Sequence, residues 1–372
     1  MRAPTEYLVP GDAVLDLTSL GGTAPLGSRP TGITDAVCRV LSSTPCAPAG
    51  SRSDAEELSG RLTSLLALPD HTVLRATTGA EAVDMALQLA RTATRRRDVA
   101  CVTGSYHGGT AACLEVCGIA GWGTGSETLR LDLIGNPDRA LDALDRAGPE
   151  LAAVILEPIM SNRGFVPIPD HVAASVAELA RRHGALLIHD EVGCGLGRTG
   201  AWRAGAPGLP DIVLVGKTLG AGIYPIAAVL ALPDVVKRGV GRGRSFSLSW
   251  TPPACAAALA FLSEVEKGNL VPRAKELGLL LRLRLSARLS GHPWVAGVHG
   301  SGLGFGIELR PDFADQRISL SRRMRERGVL VEPTPSLPGL RAMPALTMPA
   351  ELLHEGFDVV AGVVGEAVTG TG

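Results

Sequence analysis

The sequence predicts an α/β fold in which helices cover both faces of a mostly parallel sheet, followed by a smaller α+β unit. Short runs of Val, Ile, Leu and Ala recur through the middle of the 372-residue chain, and segments with helical spacing separate them. Near-continuous apolar runs of this kind are typical of strands that are buried on both faces. The C-terminal part of the chain differs, because long amphipathic stretches precede a glycine-rich segment there.

The predicted sheet begins with a strand, a helix and a second strand. The β-favouring runs are Thr72–Ala76 and residues 99–102. Between them, Gly79 opens a segment with apolar residues at helical spacing, so we expect a helix from there to about Arg97. The segment from Gly123 to Asp138 is expected to be a surface insertion.

The same alternation continues through the middle of the chain. Further strands are predicted at residues 151–156, 185–189, 212–215 and 227–230, and a helix at residues 173–183. Gly184 follows this helix and suits a left-handed cap, because glycine adopts positive φ without steric cost.

The C-terminal part of the chain predicts the smaller α+β unit. A long amphipathic stretch covers residues 254–289 with a break near Pro272, and the glycine-rich segment 300–309 has a strand pattern. A helix near residues 319–327 and short strands around 329–331 and 340–343 complete the unit.

Composition excludes several classes of function. The formal net charge is −1, so neither a nucleic-acid partner nor a membrane surface is expected. No apolar stretch reaches the roughly 18 residues of a membrane span, and the start lacks the apolar block of a signal peptide. The seven cysteines contain no Cys-x-x-Cys pair, and Cys113 and Cys117 are spaced as one buried helix face rather than as metal ligands. We therefore expect a soluble, reduced, cytoplasmic protein without a metal site.

Five residues with binding or reactive side chains lie just past the ends of predicted strands. They are Thr78, Tyr106, Glu157, Asp190 and Lys217. In open parallel sheets the ligand crevice lies at these strand ends, so we expect the five residues to meet at one site.

Lys217 and Asp190 suggest the chemistry of that site. Lys217 ends a buried apolar run, where desolvation favours a neutral, reactive amine. The alternative for such a lysine is a side chain that reaches out to solvent. Asp190 also ends an apolar run, and a buried carboxylate needs a cationic or hydrogen-bonding partner. A lysine that can form an imine and a carboxylate that can hold a pyridinium nitrogen are the minimal set for a pyridoxal 5′-phosphate (PLP) enzyme.

Two weaker motifs are compatible with PLP. The small residues at 77–80 start a helix, where free N–H groups can hold a phosphate, although most such junctions bind nothing. Tyr106 could stack on a flat cofactor ring, or it could be an ordinary half-buried tyrosine. A dinucleotide-binding fingerprint is not present in the required context after the first strand.

Read in order, these motifs resemble the class III aminotransferases, which are fold-type I PLP enzymes. The resemblance extends over nearly the whole chain and implies a large domain with a seven-stranded, mostly parallel sheet. The segments that carry it are 77–91, 105–108 (Ser-Tyr-His-Gly), Glu157-Pro158, 186–200, 210–230, 247–252 and 340–346. The implied domains are residues 1–50 as the N-terminal segment of the small domain, 51–258 as the large PLP-binding domain and 259–372 as the C-terminal small domain.

The resemblance also implies roles for individual residues. Lys217 would form the Schiff base with PLP and then act as general acid and base, and Asp190 would pair with the pyridine nitrogen. Tyr106 and Val192 would sandwich the ring. The phosphate would be held by Thr78, Gly79 and Ala80, and by Ser247 from the other subunit, which implies a homodimer with shared active sites. Arg341 and Glu157 would bind substrate, Arg341 by pairing with a carboxylate.

Several positions depart from the family pattern. Gly193 replaces a glutamine that bonds the phenolic oxygen of the cofactor in many members. Asn162 stands where ornithine- and GABA-type members have a glutamate that masks the arginine, so we expect no dual-substrate device of that type. Ser28 replaces a histidine, and the short segment 40–53 suggests that part of the substrate-pocket wall is missing.

The predicted reaction moves an amino group between an amino acid, or an ω-amino compound, and a 2-oxo acid or aldehyde. The partners are therefore a small-molecule amino donor and an oxo acceptor, with glutamate and 2-oxoglutarate as the family-level expectation for one pair. The alternative on the same fold is a PLP-dependent racemase, aminomutase or decarboxylase, because fold does not determine the reaction. A non-catalytic PLP-binding regulator is disfavoured, because the lysine, aspartate and arginine are all present and no helix-turn-helix segment is attached.

Overall fold

The computed structural model describes residues 3–43, 52–122, 128–205, 210–239 and 246–366. The helices in this part of the chain are Ser19–Gly22 (α1, a single irregular turn), Thr31–Ser43 (α2), Arg52–Leu65 (α3), Gly79–Thr94 (α4), Ala111–Glu115 (α5), Pro137–Ala147 (α6), Asp170–His183 (α7), Pro233–Gly239 (α8), Pro252–Lys267 (α9), Leu270–Leu289 (α10), Gln316–Glu326 (α11) and Ala350–Gly365 (α12). None of these helices is both long enough and apolar enough to span a bilayer.

The strands of the same described ranges form two larger sheets and two small pairs. They are Leu15–Asp16 (β1), Thr72–Ala76 (β2), Asp98–Val102 (β3), Leu129–Leu131 (β4), Leu151–Leu156 (β5), Ile159–Met160 (β6), Val166–Pro167 (β7), Leu186–Asp190 (β8), Ile212–Val215 (β9), Ala227–Ala231 (β10), Val295–Ser301 (β11), Gly304–Leu309 (β12), Val329–Leu330 (β13), Glu332–Pro333 (β14) and Gly339–Ala342 (β15).

Within the described residues, the central sheet has seven strands in the order β2-β10-β9-β8-β5-β3-β4. Among the seven strands only β10 runs in the opposite direction to the other six, so the prediction of a mostly parallel sheet is confirmed. Alternate residues of β9 belong to two hydrophobic clusters on opposite faces of the sheet. Val213 and Val215 pack in one cluster, and Ile212 and Leu214 pack in the other. Because both faces are buried, these strands need apolar residues at every position, which explains the unbroken apolar runs.

Most predicted elements of the central unit are confirmed, with shifts at their ends. Helix α4 ends at Thr94, before the expected Arg97, because Arg95 adopts a left-handed conformation with φ of 59°. Helix α7 begins at Asp170, and Gly184 caps it with φ of 68°, as predicted.

The prediction of a surface insertion from Gly123 to Asp138 is wrong where the structure describes it. Residues 123–127 lie outside the described residues, but Leu129–Leu131 forms β4, which pairs in parallel with β3 at the edge of the central sheet. Helix α6 then begins at Pro137 with Asn136 as its N-cap. A three-residue edge strand has too little apolar alternation to be recognised from sequence.

The C-terminal unit contains an antiparallel sheet, ordered β11-β12-β15-β14 in the described residues. The glycine-rich segment 300–309, predicted to be one strand, instead contains the turn between β11 and β12, and Gly302 supplies φ of 52° there. The long helical stretch breaks at Gly268 and Asn269 rather than at Pro272. Pro272 lies in the first turn of α10, where a missing N–H group breaks no helical bond.

The N-terminal segment joins the C-terminal unit. Strand β1 pairs in parallel with β13, through Leu15 opposite Val329 and Asp16 opposite Leu330. The next turn brings Gly22 beside Lys217, because a Cβ atom added there would lie 3.5 Å from Cδ of that lysine.

The glycine-rich loop after β8 connects the central and C-terminal units through Arg198. This side chain is buried, and its Nη1 donates to the carbonyl oxygens of Leu303 at 3.1 Å and Pro344 at 2.5 Å. Burial lowers the pKa of Arg198 to about 10, which still leaves it cationic at neutral pH. The loop therefore ties the two units together by a charge-assisted pair of hydrogen bonds.

Candidate active site

Four of the five predicted strand-end residues line one cavity of about 290 Å³ at the carboxyl ends of the central strands. Its walls include Gly79, Ala80, Tyr106, Glu157, Asp190, Val192 and Lys217. Thr78 lines a neighbouring cavity of about 350 Å³, and Gly79 and Lys217 border both. The sheet topology therefore brings together residues that are up to 139 positions apart in the chain.

Lys217 occupies a strained position at the centre of this site. It follows β9 and an extended Gly216, and its own φ is 46°, which is uncommon for a residue with a side chain. Such a conformation costs of the order of 1–3 kcal/mol and is typical of functional positions. Burial of the amine lowers the pKa of Lys217, and the charge of Arg341 lowers it further, against the opposing effects of Glu157, Asp190 and Glu332. These effects favour a neutral, nucleophilic amine.

Asp190 ends β8 inside the cavity wall and is held by two contacts. Its Oδ2 lies 2.7 Å from Nδ1 of His107, and its Oδ1 accepts a hydrogen bond from the backbone N–H of Val192 at 3.0 Å. Both Asp190 and His107 are buried. Among the described residues, Nε2 of His107 has no hydrogen-bond partner. No role was predicted for His107, although it directly follows Tyr106 in the Ser-Tyr-His-Gly segment.

Glu157 lies in the cavity wall, but both of its carboxylate oxygens already accept hydrogen bonds within the protein. Oε1 accepts from the backbone N–H of Tyr106 at 3.2 Å, and Oε2 accepts from the N–H and Oγ of Ser161 at 3.1 and 2.7 Å. Burial raises the pKa of Glu157. These contacts fix the backbone that presents Tyr106, and a direct substrate contact by Glu157 stays a prediction.

Two glycines determine the shape of the cavity. A Cβ atom on Gly79 would come within 2.8 Å of Cγ1 of Val192, so the Val192 side chain packs directly against the helix start and leaves no room for a side chain at position 79. A Cβ atom on Gly193 would lie only 2.4 Å from Oγ of Ser161. The space that a glutamine would enter at position 193 is therefore occupied by Ser161.

The start of α4 provides a potential anion site. Thr78 caps the helix, because its Oγ1 accepts from the N–H of Glu81 at 3.2 Å and its carbonyl accepts from the N–H of Ala82 at 3.0 Å. The first amides of a helix, here those of Gly79 and Ala80, have no partner within the helix and point toward an anion placed at its N-terminus.

Arg341 lies on β15 and is already paired. Its Nε and Nη2 donate to Oε2 of Glu332 at 3.1 and 2.9 Å, and its Nη1 donates to Oδ1 of Asn162. Arg341 lines neither cavity, but its charge acts on the pKa of Lys217, as does that of Glu332. The pairing of Arg341 with Glu332 was not predicted.

Ser247 lies apart from the other predicted cofactor residues. It is exposed in a turn before α9, and it lines neither of the two cavities next to Lys217. The predicted contact of Ser247 with cofactor phosphate would therefore require a second subunit.

The described cavity walls fit PLP. A buried carboxylate, an aromatic ring, an amine and a helix N-terminus surround two neighbouring cavities, which matches a flat heterocycle with an aldehyde and a phosphate. Among the described residues, no group of three or more His, Cys, Asp or Glu side chains could hold a metal ion.

Comparison with known proteins gives consistent matches over most of the chain. The family model of Aminotransferase class-III matches residues 5–364. An acetylornithine aminotransferase of Methanothermobacter thermautotrophicus is 34% identical over 313 residues, which are 83% of this chain and 78% of that protein. The crystal structure of an ornithine aminotransferase from Toxoplasma gondii is similar with a TM-score of 0.83 and 27% identity, over 95% of this chain and 87% of that one. An amine transaminase from an uncultivated Pseudomonas species, solved in a PLP-bound form, is similar with a TM-score of 0.85 and 25% identity, over 95% and 90%.

Proposed function

This chain belongs to the class-III aminotransferase family and is a PLP-dependent aminotransferase, and from that premise we propose its substrates and the roles of its residues. One substrate pair is glutamate and 2-oxoglutarate, and the other is an ornithine-type amino compound with its oxo product. The observation that carries the glutamate pair is Arg341, a guanidinium on β15 whose charge lowers the pKa of Lys217 and whose shape suits a substrate carboxylate. The similarity to an acetylornithine and an ornithine aminotransferase supports the ornithine-type pair.

The residues that would hold the cofactor follow from the two cavities. Thr78, Gly79 and Ala80 would bind the phosphate at the start of α4. Tyr106 and Val192 would contact the ring, and Asp190 would hold its nitrogen. When bound, PLP supplies an electron sink that stabilises negative charge on the substrate carbon.

Lys217 would bind the cofactor covalently through Nζ and then carry the proton. Burial lowers the pKa of Lys217 and so favours the neutral amine, which can accept a proton and return it, as a general base that also acts as an acid must do. Lys217 lines both cavities, which supports this role for its amine.

His107 is proposed as a positioning residue for Asp190. The two side chains are buried together 2.7 Å apart, and the N–H of Val192 fixes the other carboxylate oxygen. An anionic Asp190 held from two sides would present its charge in one orientation, which is the electrostatic preorganisation that catalysis requires.

Replacing Arg341 with alanine is expected to raise the KM for 2-oxoglutarate by about 10- to 100-fold, because a charge-assisted, bidentate contact is lost. The measurement is steady-state kinetics with 2-oxoglutarate varied at a saturating amino donor. Arg310→Ala, which removes an exposed arginine of the same unit, is the matched control and should leave this KM within about twofold. An unchanged KM in Arg341→Ala would remove the proposed role of Arg341.

The absorption spectrum of the PLP-loaded protein tests the proposed substrates directly. L-Glutamate and L-ornithine are each expected to replace the visible band of the bound cofactor by the near-ultraviolet band of its aminated form, and 2-oxoglutarate should restore the visible band. A visible band that persists with both amino acids would reject these donors. A protein that remains colourless after PLP is added would contradict the cofactor roles proposed for Lys217 and Asp190.

We also propose the assembly, the division into domains and the compartment. Exposure of Ser247 supports a homodimer in which this residue serves the partner's site. The pairing of β1 with β13 supports a small domain made from residues 1–50 and 259–372, with 51–258 as the large domain; the boundary at 258 falls inside α9, which packs against both α2 and α10. The six described cysteines are free thiols, which supports a reducing, cytoplasmic location.

A further inference from the structure

A separate cavity of about 380 Å³ lies between the loop after β8, helix α10 and the turn that joins β11 to β12. We call it the α10 cleft. It is larger than the cavity of about 290 Å³ that Asp190 and Lys217 line, and the two share none of their described lining residues. Its volume falls within the range of small-molecule sites, which begins at about 300 Å³. The α10 cleft is therefore large enough to hold a small ligand of its own.

One face of α10 forms a wall of the cleft. The helix residues that line it are Lys275, Gly278, Leu279 and Arg282. Their spacing of i, i+3, i+4 and i+7 places them in a single row on the helix. Lys275 and Arg282 are therefore about 10.5 Å apart along the helix axis. This wall has a cation at each end and an apolar side chain between the two.

Glycines allow the three walls of the cleft to approach each other closely. A Cβ atom on Gly278 would lie 1.9 Å from the carbonyl oxygen of Gly302, so the helix and the turn are in direct backbone contact. A Cβ atom on Gly200 would lie 2.7 Å from Cβ of Lys275, so the loop after β8 packs on the helix in the same way. The width of the cleft therefore depends on glycine at positions 200 and 278.

The two cations that line the cleft differ from the other three cations of α10, because they have no partner. Arg273 donates to two carbonyl oxygens of the segment before α12, and Arg284 and Arg288 pair with a carboxylate of α12. Within the described residues, neither Lys275 nor Arg282 has a hydrogen bond or an ion pair, and the described lining of the cleft contains no Asp or Glu. The cleft thus presents positive charge that no described group of the protein neutralises.

We propose that the α10 cleft is a binding site for a small organic anion that carries a phosphate or a carboxylate group. The guanidinium of Arg282 offers paired N–H groups that match either anion, and the ammonium of Lys275 adds a point charge. Leu279, which is 48% exposed, and Ile159 provide an apolar surface for the uncharged part of the ligand.

The cleft is distinct from the cofactor site, although two of its walls continue into that site. Ile159 lines the cleft, and Ser161, two residues later, lines the cofactor cavity. Thr199 lines the cleft on the same loop that carries Val192 in the cofactor cavity. The inference goes beyond the proposed function, because none of the residues that carry it is assigned a part in binding PLP or substrate.

Isothermal titration calorimetry of the PLP-loaded enzyme tests the inference, with glycerol 3-phosphate and citrate as separate probes. About 150 mM NaCl in the buffer screens weak, unspecific attraction between exposed charges. We expect at least one probe to bind at one site per chain with a Kd below about 1 mM. Arg282→Gln should raise this Kd by about tenfold, because a charge-assisted hydrogen bond is lost, and adding Lys275→Gln should raise it further. Thermal unfolding should show that Arg282→Gln remains folded, since the substitution breaks no described contact.

Two further variants establish where the probe binds. Lys267→Gln removes an exposed cation at the end of α9 and should leave the Kd within about twofold. Arg341→Gln should do the same, because Arg341 does not line the cleft. A probe that binds only as the phosphate ester, or only as the carboxylate, identifies the class of the ligand and supports the site.

Three results would overturn the inference. If neither probe binds with a Kd below about 1 mM, the cleft is not an anion site of this kind. If Arg341→Gln weakens binding and Arg282→Gln does not, the probe occupies the active site, and the proposed role of Arg341 stands while the inference fails. If neither substitution weakens binding, the probe binds elsewhere and the inference also fails.

Discussion

Lys217→Ala is expected to abolish transamination, with kcat falling by more than about a thousandfold. Lys217 lines both cavities, and no other described side chain in their linings has an amine that could bind the cofactor covalently and also move the proton. The measurement is turnover of L-ornithine with 2-oxoglutarate, together with the visible absorbance of the PLP-loaded protein. The variant should lose the visible band that depends on covalent attachment to Nζ.

The control for this experiment is Lys237→Ala, which removes an exposed lysine at the end of α8 and should retain full activity. Lys217→Ala should remain folded, because it removes an amine whose pKa is already lowered by burial, and thermal unfolding monitored by circular dichroism checks this. Full turnover by a folded Lys217→Ala protein would contradict the proposed covalent and proton-transfer role of Lys217.

Asp190→Asn is the second substitution with a large expected effect, a fall in kcat of about 10²- to 10⁴-fold. Asparagine has the same shape and can still accept a hydrogen bond from the N–H of Val192, but it has no negative charge to hold a protonated ring nitrogen. The measurements are kcat and the Kd for PLP from fluorescence titration, and we expect cofactor binding to weaken as well.

The chain offers a closely matched control for Asp190→Asn. Asp145 also contacts a histidine ring, with its Oδ1 2.7 Å from Nε2 of His183, but this pair lies on the protein surface. Asp145→Asn should leave kcat within about twofold, because a surface pair contributes little. If Asp190→Asn retained more than about a tenth of the wild-type kcat, Asp190 would not be the charge on which the reaction depends.

Local patterns were sufficient to predict much of the central unit. Strands buried on both faces are recognisable because every position is apolar, and β5, β8, β9 and β10 were all predicted within two residues of their ends. The same rule could not find β4, a short edge strand, or the turn at Gly302, because neither has the length from which a period can be read.

The meeting of the strand-end residues at one cavity was also predictable, for a topological reason. Parallel strands deliver the residues at their carboxyl ends to one edge of the sheet, so Tyr106, Asp190 and Lys217 had to come close together once the strands were identified. His107 needed the structure, because nothing in its sequence position indicates that its ring turns toward Asp190 rather than into the core.

The sequence by itself therefore determined the fold class, the family with its cofactor, and the strand-end residues that the sheet brings to one cavity. The tertiary structure decided what each side chain contacts. Glu332 and Arg341 face each other only because β14 and β15 pair in one register, and a slip of one residue would turn Glu332 to the opposite face of the sheet. Periodicity specifies which face of a strand a residue occupies, but the partner across the strand depends on backbone hydrogen bonds that form only when the chain folds.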